Sequence, residues 1–379
     1  MEKLLHRPAP PRIIISGGGT GGHVFPAIAI ALALKRKVYN AQILFVGARG
    51  RMEMEKVPQA GFHIIGLDIA GLQRRLSSKN LLLPFKIIKS LSGAKAIVKR
   101  FRPDLVIGVG GYASAPVLRA SVKQNIPLMI QEQNSYPGLT NRYFGRKADR
   151  ICVAYEGMEK YFKREKIFLT GNPVRQDVVM TEGKREKAIR YFGLQEGKPV
   201  LFSTGGSLGA LTINKAIAEH LELFAKEGIQ LVWQTGRSYY GNAREASPAF
   251  GGSGLYIAPF IDRMDYAYAV ADLVVSRAGA IAVSEICTVG KPAIFIPSPN
   301  VAEDHQTKNA MALVNHHAAI MIKDSEAVKK LGETVRGLIH DKEKMHRLKE
   351  RMAGMSYRDA ADLIAGAAIE MINKTNRGI

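Results

Sequence analysis

His23 and a run of five glycines stand together in the stretch IISGGGTGGHVFPAIAIALAL, residues 14–34. The run follows an apolar segment and precedes a helical pattern, which places it at the turn between a strand and a helix. Glycines leave backbone N–H groups open to a ligand, and the positive end of a helix favours negative charge. The stretch therefore predicts a site for a phosphate-bearing ligand beside a histidine that can accept a proton.

The same run contains a GxGxxG pattern, formed by Gly17, Gly19 and Gly22, which is found in dinucleotide-binding domains. The second predicted strand ends in Gly47 rather than in an acidic residue that would hold a ribose, which argues against a nicotinamide cofactor. No glycine cluster is followed by Lys-Ser or Lys-Thr, so P-loop nucleotide hydrolysis has no support.

Three further glycine clusters follow apolar segments in the same way. They are Gly108–Pro116 (GVGGYASAP), Gly205–Ala210 (GGSLGA) and Ser276–Glu285 (SRAGAIAVSE). One such turn is usually tight packing, whereas four at equivalent places indicate a single polar cleft. The four clusters together therefore predict a phosphate-bearing ligand.

Short apolar segments alternate with helical patterns along the chain. Continuous apolar strands are typical of parallel sheets buried on both faces. The pattern restarts near Ile167–Val178, where a Gly-Asn-Pro sequence interrupts regular structure. We therefore predict an α/β fold of two doubly wound domains with ligands in the cleft between them. The first domain spans residues 1–172 and is completed by a C-terminal helix over 355–379, and the second spans residues 173–354.

Positive charge is concentrated in the first half of the chain. The 379 residues carry a net charge of +21, of which residues 1–172 contribute +18. This half is expected to meet an anionic partner, such as nucleic acid, a membrane surface or a phosphorylated substrate. Cys152 and Cys287 lack metal-ligand spacing and fit a reduced cytosolic protein without a metal site. No apolar run is long enough to span a membrane.

Seven motifs occur in a fixed order: GGGTGGHVFPAIAIA, GVGGYASAP, QEQNSYPGLTNR, GNPVR, GGSLGA, FIDRMDYAYAVADLVVSRAGAIAVSE and DHQTKNA. Over nearly the whole chain this series resembles the MurG family of bacterial N-acetylglucosaminyltransferases. The resemblance implies a GT-B fold and inverting transfer of N-acetylglucosamine from UDP-GlcNAc to lipid I, the undecaprenyl-diphosphate-linked MurNAc-pentapeptide. It also implies no metal or other cofactor, a peripheral location on the cytoplasmic face of the bacterial cell membrane, and a cell-wall synthesis complex as a further partner.

By this resemblance, the second domain binds the donor. Glu285 is expected one to two helical turns after Gly279, where it accepts hydrogen bonds from the ribose, and Arg175 binds the diphosphate. The family further implies Ser207 at the diphosphate, Phe260, Ile261 and Met264 around the uracil with backbone groups against the base edge, and His305, Gln306 and Asn309 at the GlcNAc. Ordinary core packing is the alternative for Phe260, Ile261 and Met264. A solvated helix position is the alternative for Glu285, and a surface position beside the hinge is the alternative for Arg175.

The first domain is then expected to bind the acceptor. His23 and Glu132 are the two candidates for the base that takes the proton of the attacking hydroxyl, and a helix N-terminus keeps His23 neutral. A structural or diphosphate-positioning role is the alternative for His23. The predicted acceptor contacts are Gly18, Gly19, Tyr112 and Ser114. Thr20 and Asn134 border this surface and, with Gly21 and Gly22, are also assigned to the donor.

Three positions depart from the family pattern. Gln131 stands where His is common, Leu208 where Gln is common, and Ala282 where Thr is common. Gln131 keeps hydrogen-bonding capacity, whereas the other two lose a polar side chain. The departures leave the predicted fold intact and make the details of the donor site less certain.

Residues 71–103 carry nine Lys or Arg and no acidic residue, with leucines, isoleucines and two phenylalanines between them. This composition predicts peripheral docking on an anionic membrane, to which each charge adds about 1 kcal/mol. The alternative is a packed helix with a solvated basic face. Nucleic acid is not favoured, because aromatic residues are few and no nucleic-acid-binding fold is recognisable.

Three rival functions remain. Another GT-B transferase, such as a diacylglycerol glycosyltransferase, would share the basic surface but not the motifs GGGTGGHVFPA and QEQN. A UDP-GlcNAc 2-epimerase would have no evident use for residues 71–103. In a nucleotide-sugar sensor without catalysis, His23 and Glu132 would be bystanders.

Overall fold

The computed structural model describes residues 10–69 and 83–376, so residues 71–82 of the basic segment lie outside the described part. The chain forms two compact units, one up to Pro173 together with the chain from Asp359 onward, and one over Val174–Arg358. The sequence-based boundaries, after residues 172 and 354, lie close to this division. Among the described residues no helix has both the length and the apolar character of a membrane span.

Unit 1 is built on a seven-stranded parallel sheet. Its strands are β1 (Arg12–Gly17), β2 (Gln42–Ala48), β3 (His63–Leu67), β4 (Leu105–Gly110), β5 (Leu128–Glu132), β6 (Arg150–Val153) and β7 (Ile167–Leu169), and they lie in the order β3-β2-β1-β4-β5-β6-β7. Its first five helices are α1 (Gly21–Lys37), α2 (Glu53–Gln59), α3 (Leu83–Phe101), α4 (Ala115–Lys123) and α5 (Leu139–Gly145). The strand order reverses between β1 and β4, where doubly wound sheets bind ligands.

Unit 2 repeats this plan on a six-stranded parallel sheet. Its strands are β8 (Val200–Thr204), β9 (Gln230–Gln234), β10 (Leu255–Ala258), β11 (Leu273–Ser276), β12 (Ala293–Phe295) and β13 (Ile320–Met321), in the order β10-β9-β8-β11-β12-β13. Its helices are α6 (Gln176–Val179), α7 (Arg185–Phe192), α8 (Leu211–Glu219), α9 (Leu221–Lys226), α10 (Tyr240–Ala246), α11 (Met264–Val270), α12 (Ala280–Val289), α13 (His305–Val314), α14 (Ala327–Ile339) and α15 (Lys342–Gly354). The order reverses between β8 and β11.

The central strands are buried on both faces, which explains their uninterrupted apolar sequences. Every residue of β4, β5, β8, β9 and β11 is buried. Each fully buried Val, Leu or Ile side chain contributes about 1.5–3 kcal/mol relative to an exposed one. The predicted α/β class with two parallel sheets is confirmed.

The last helix, α16 (Ala360–Asn376), returns to unit 1 and packs against α1. Ile364 and Ala368 are fully buried in the apolar cluster to which α1 contributes. The ion pair between Arg36 and Asp362, at 3.1 Å, is solvent-exposed, and such pairs contribute about 0–1 kcal/mol. Apolar burial, rather than charge pairing, therefore holds α16 on unit 1.

This packing predicts unequal effects for two neighbouring residues of α16. Ile364→Ala is expected to lower the free energy of unfolding by about 2–5 kcal/mol, because it leaves a cavity in the core. Leu363→Ala, at a side chain that is 42% exposed, should cost about 0.5 kcal/mol. Urea denaturation followed by circular dichroism measures both values, and equal losses would contradict the assignment of α16 to the core of unit 1.

Candidate functional site

The turns after β1 and β4 lie against each other at the C-terminal edge of the unit 1 sheet. Gly17 pairs with Gly110, and Gly111 has a φ of +77°, in the left-handed region. A Cβ atom on Gly111 would lie 2.5 Å from the carbonyl oxygen of Gly18. Backbone meets backbone here, so the position requires glycine. The structure thus joins the first two glycine clusters.

His23 lies at this junction as the third residue of α1, and it is half-buried. Its ring lies over the second turn, because a Cβ atom on Gly110 would be 3.0 Å from Cδ2 and 3.2 Å from Nε2. Oγ1 of the exposed Thr20 is 3.1 Å from Nδ1. Gly21 and Gly22, which open α1, are half-buried. The imidazole is therefore oriented by Thr20 on one side and by a glycine backbone on the other.

Glu53 lies beneath the first glycine turn, and the sequence analysis does not single it out. Its buried carboxylate accepts hydrogen bonds from the N–H of Gly19, at 3.2 and 3.1 Å, and from the N–H of Ala48, at 3.0 Å. Gly18 is buried as well. The N–H of Gly19 is therefore engaged within the protein, and the acceptor contacts of Gly18 and Gly19 stay predictions. An acidic residue in a first helical turn is too common to have signalled this contact.

Glu132, at the end of β5, is fully buried and organises the loop that follows. Its two oxygens accept hydrogen bonds from N and Nδ2 of Asn134 at 2.9 and 3.2 Å, from N of Gly138 at 3.2 Å, and from Nδ2 of Asn141 at 2.8 Å. Burial raises the pKa of Glu132, and these hydrogen bonds oppose the rise. Glu132 is an anchor of this loop, and its role as a base stays a prediction.

Tyr112 and Ser114, both predicted to contact the acceptor, differ in exposure. Tyr112 is half-buried, and its ring lies against Gly19, where an added Cβ atom would be 3.3 Å from Cε1. Ser114 is fully buried, and its hydroxyl donates to the carbonyl oxygen of Gly111 at 2.9 Å. Ser114 therefore stabilises the turn from inside, and its contact with the acceptor stays a prediction.

Gln131, one of the three departures, belongs to a buried network of amide side chains. Its Nε2 donates to Oδ1 of Asn172 at 3.0 Å. Nδ2 of Asn172 donates to the carbonyl oxygen of Gln133 at 2.9 Å. Nε2 of Gln133 in turn donates to the carbonyl oxygen of Val109 at 2.8 Å. The network ties β5 to β4 and to the end of unit 1, so Gln131 serves the fold.

In unit 2, the glycine turn after β8 satisfies part of its own hydrogen bonding. The N–H of Gly206 donates to Oγ1 of Thr204 at 3.2 Å, and the N–H of Gly209 donates to the carbonyl oxygen of Gly206 at 3.0 Å. Ser207 is exposed at the tip of the turn, and Leu208 beside it is 85% exposed. Ser207 is thus accessible to a ligand, whereas two of the N–H groups of the turn are engaged internally.

Gln234, at the end of β9, links this turn to the predicted uracil segment. Its Nε2 donates to the carbonyl oxygen of Gly206 at 3.1 Å, and its Oε1 accepts from the N–H of Ile261 at 2.9 Å. The N–H of the buried Ile261 is therefore engaged within the protein, and its expected contact with a base edge stays a prediction. Phe260 is 51% exposed rather than packed in the core, and Met264 is half-buried.

Glu285 lies in the second turn of α12, as predicted from its distance to Gly279. Burial of its carboxylate raises its pKa to about 7, while the charge of Arg175 and a hydrogen bond from Tyr268 lower it and Asp177 raises it. The hydroxyl of the fully buried Tyr268 donates to Oε2 of Glu285 at 3.2 Å. The structure therefore brings two predicted donor residues, Arg175 and Glu285, within electrostatic reach of each other.

The helix α13 carries the last three predicted donor residues. His305 and Gln306 are half-buried in its first turn, and Oε1 of Gln306 accepts a hydrogen bond from the N–H of Ser298 at 2.9 Å. Asn309 is fully buried, and its Nδ2 donates to the carbonyl oxygen of Ala278 at 3.3 Å. Asn309 thus ties α13 to the turn before α12, and its contact with the GlcNAc stays a prediction.

Over residues 10–69 and 83–376, no group of three or more His, Cys, Asp or Glu is arranged to hold a metal ion. Both cysteines are buried. The expectation of a reaction without metal stays a prediction.

Comparisons with protein families identify both units. The model of the glycosyltransferase family 28 N-terminal domain matches residues 13–153, and the model of its C-terminal domain matches residues 200–364. A relative from Parabacteroides distasonis is 50% identical over 96% of this chain and 99% of its own length. A relative from Porphyromonas gingivalis is 50% identical over 97% of both chains. Both are named UDP-N-acetylglucosamine–N-acetylmuramyl-(pentapeptide) pyrophosphoryl-undecaprenol N-acetylglucosamine transferase.

Solved structures match the fold over nearly the full length. MurG of Acinetobacter baumannii is 27% identical, with a TM-score of 0.76 over 95% of this chain and 100% of its own. A UDP-GlcNAc 2-epimerase of Neisseria meningitidis, bound to UDP-GlcNAc, is 15% identical, with a TM-score of 0.68 over 97% of this chain and 100% of its own. The likeness to MurG supports the predicted GT-B class, and the likeness to the epimerase concerns the fold alone.

The surroundings of Glu285 predict opposite effects for two charge changes. Arg175→Ala is expected to raise the pKa of Glu285 above about 7, because a cation that favours the carboxylate is lost. Asp177→Asn is expected to lower that pKa, because a repelling charge is lost. NMR titration of protein labelled with ¹³C at the glutamate carboxyl carbons measures both shifts. Shifts of the same sign in the two variants would contradict the electrostatic arrangement.

Proposed function

The chain belongs to glycosyltransferase family 28, and we propose that it transfers N-acetylglucosamine from UDP-GlcNAc to lipid I, giving lipid II in peptidoglycan synthesis. The observation that carries the proposal is the near-complete match, at half identity, to transferases named for this activity. The epimerase alternative has only a likeness of fold in its support. A sensor without catalysis has no observation that favours it.

We assign the donor to unit 2. Above its pKa of about 7, Glu285 can accept two hydrogen bonds from ribose hydroxyls. Arg175 beside it supplies a cation for the diphosphate. The exposed ring of Phe260 offers a face against which uracil can stack, and the tip of the turn at Ser207 precedes the N-terminus of α8, where negative charge is favoured. The start of α13, with His305 and Gln306, is assigned to the GlcNAc.

We assign the proton transfer to unit 1. In an inverting displacement, the acceptor hydroxyl oxygen bonds to the anomeric carbon while the bond from that carbon to the diphosphate oxygen breaks. The hydroxyl proton passes to a base, and UDP leaves with the electron pair. His23 is the better candidate for this base, because the oxygens of Glu132 already accept four hydrogen bonds. Arg175 and the helix N-termini would stabilise the charge on UDP, so no metal is required.

We further propose that unit 1 docks on the anionic cytoplasmic face of the cell membrane. Ile87 and Ile88 of α3 are exposed, the latter to 65%, and Lys89, Lys95 and Lys99 are exposed along the same helix. Helix α3 packs on α4, and α4 packs on α5. An open depression around α5 continues the same mixture of basic and aromatic or apolar residues, with Leu139, Arg142, Tyr143, Arg146, Lys147, Lys160 and Tyr161.

Exposed apolar side chains among basic ones are typical of surfaces that lie on anionic bilayers. The proposed acceptor has a polyprenyl tail that lies in the membrane, so the enzyme must reach the membrane surface. Binding of nucleic acid would not explain the exposed apolar side chains. A cell-wall synthesis complex is a partner that the family relationship alone suggests.

The catalytic assignment predicts the outcome of a transfer assay with labelled UDP-GlcNAc and a lipid I analogue. Wild-type turnover is expected to persist in EDTA. His23→Ala should lower kcat by about 10²–10⁴-fold, which is the usual contribution of a general base. His63→Ala is the matched control, because His63 is exposed on β3, and it should retain wild-type turnover.

Loss of wild-type transfer in EDTA would contradict the metal-free mechanism. Wild-type turnover in His23→Ala would remove His23 as the base. If folded wild-type protein bound UDP-GlcNAc and inverted its C2 centre without transfer to the acceptor, the epimerase alternative would replace the proposed function.

The membrane assignment predicts that the paired change Ile87→Ser and Ile88→Ser weakens binding to vesicles rich in anionic lipid by about tenfold, as expected when roughly 1.4 kcal/mol of apolar burial is lost. The control pair is Leu32→Ser and Leu363→Ser, at side chains of unit 1 that are 43% and 42% exposed. Co-sedimentation measures both, with neutral vesicles as reference. Equal binding of wild-type protein to anionic and neutral vesicles would contradict the proposal.

A further inference from the structure

Glu53 is a buried acidic residue at the candidate acceptor site that the proposed chemistry does not use. It begins α2, and its carboxylate accepts hydrogen bonds from two separate backbone segments, at Gly19 and at Ala48. We propose that Glu53 is a positioning residue for the acceptor step, and that it holds the first glycine turn in place as a resident anion. This inference rests on the proposed function, and it gives the turn a role other than binding the acceptor diphosphate.

The first argument is steric. A Cβ atom on Gly18 would lie 2.1 Å from Oε1 of Glu53, and its three nearest atoms would all belong to that carboxylate. A Cβ atom on Gly47 would lie 2.7 Å from Cγ of the same side chain. Two glycines at the ends of neighbouring strands therefore make room for Glu53. Packing against Glu53 is therefore sufficient to explain why residue 18 is a glycine, and no bound ligand is needed for that explanation.

The second argument is electrostatic. The 17-residue helix α1 begins directly after the turn, its N-cap residue Thr20 makes no side-chain capping bond, and its first turn holds no acidic residue. A helix N-terminus carries about half a positive charge, which an anion stabilises. Glu53 supplies that anion from a neighbouring helix through the N–H of Gly19. A phosphate placed at the same N–H would meet a negative charge, so the N–H of Gly19 is not a phosphate site.

The third argument concerns what the turn positions. The residue after Gly19 is Thr20, whose Oγ1 lies 3.1 Å from Nδ1 of His23. The ring of Tyr112 lies against Gly19, and the carbonyl oxygen of Gly18 faces the second glycine turn. A shift of the first turn would move Thr20, and the imidazole with it. Glu53 therefore sets the position of His23 without contacting it.

The decisive variant is Glu53→Gln, which keeps the size of the side chain but removes its charge and one of its two acceptor oxygens. Transfer to the lipid I analogue is expected to fall in kcat by at least about tenfold, as for a lost transition-state interaction. The Kd for UDP, which binds unit 2 in the proposed function, should stay within about twofold of the wild-type value. Glu55→Gln is the matched control, because Glu55 lies on the same helix and pairs with Lys56 at the surface; it should leave both quantities unchanged.

A double-mutant cycle tests the contact with Gly18. In wild-type protein, Gly18→Ala should also lower kcat by at least about tenfold, because the new methyl group displaces the carboxylate. In a Glu53→Ala background the methyl group has space, so Gly18→Ala should add less than about a threefold loss. Independent, multiplicative losses would contradict the inference.

The outcomes separate the two proposals. Wild-type kcat in folded Glu53→Gln would overturn the role of Glu53 and leave the transferase assignment intact. A loss of kcat that matches the loss of folded protein, measured by thermal unfolding of the same samples, would reduce Glu53 to a structural residue. Absence of transfer by folded wild-type protein that binds UDP would instead overturn the proposed function.

Discussion

The close approach of turn backbones at the C-terminal ends of parallel strands is the constraint on which both units depend. Strands buried on both faces must reverse through short turns at one edge of the sheet, and the turns of adjacent strands then meet. In unit 1 the carbonyl oxygen of Gly18 occupies the space that a side chain on Gly111 would need. In unit 2 the carbonyl oxygen of Thr235 occupies the space that a side chain on Gly209 would need. The glycine clusters are first of all a consequence of this crowding.

Crowded turns carry backbone N–H and C=O groups that must be satisfied once they are buried. The protein meets this need with side chains from neighbouring strands and helices. Gln234 and Asn309 donate to carbonyl oxygens of the turns after β8 and β11, and Glu53 accepts a hydrogen bond from an N–H of the turn after β1. Glu132 does the same for the loop after β5. Other groups at these edges of the sheets, such as Thr20, Ser207 and Phe260, stay exposed.

The two units handle buried carboxylates differently. Glu53 and Glu132 accept several hydrogen bonds from the backbone and from side-chain amides, which suits groups that hold loops in place. Glu285 receives one hydrogen bond from a buried tyrosine and faces the charge of Arg175, and burial raises its pKa to about 7. An incompletely satisfied carboxylate retains the capacity to accept hydrogen bonds from a ligand. This contrast separates structural acids from a candidate binding residue.

The sequence by itself determined the α/β class, the two parallel sheets, the strand–turn–helix position of every glycine cluster and the helical position of Glu285, because apolar periodicity and glycine placement are local properties of the chain. Its family resemblance also indicated the transferase activity. Only the tertiary structure decided that Ser114 and Asn309 are buried, that the N–H groups of Gly19 and Ile261 are engaged, and that Glu53 and Gln234 support the turns. Most of these contacts join residues that are far apart in the chain, such as Gly19 with Glu53 (34 positions), Gln234 with Ile261 (27 positions) and Gln131 with Asn172 (41 positions). A motif records which side chains a turn contains, whereas the neighbouring strands determine which of its polar groups remain free for a ligand.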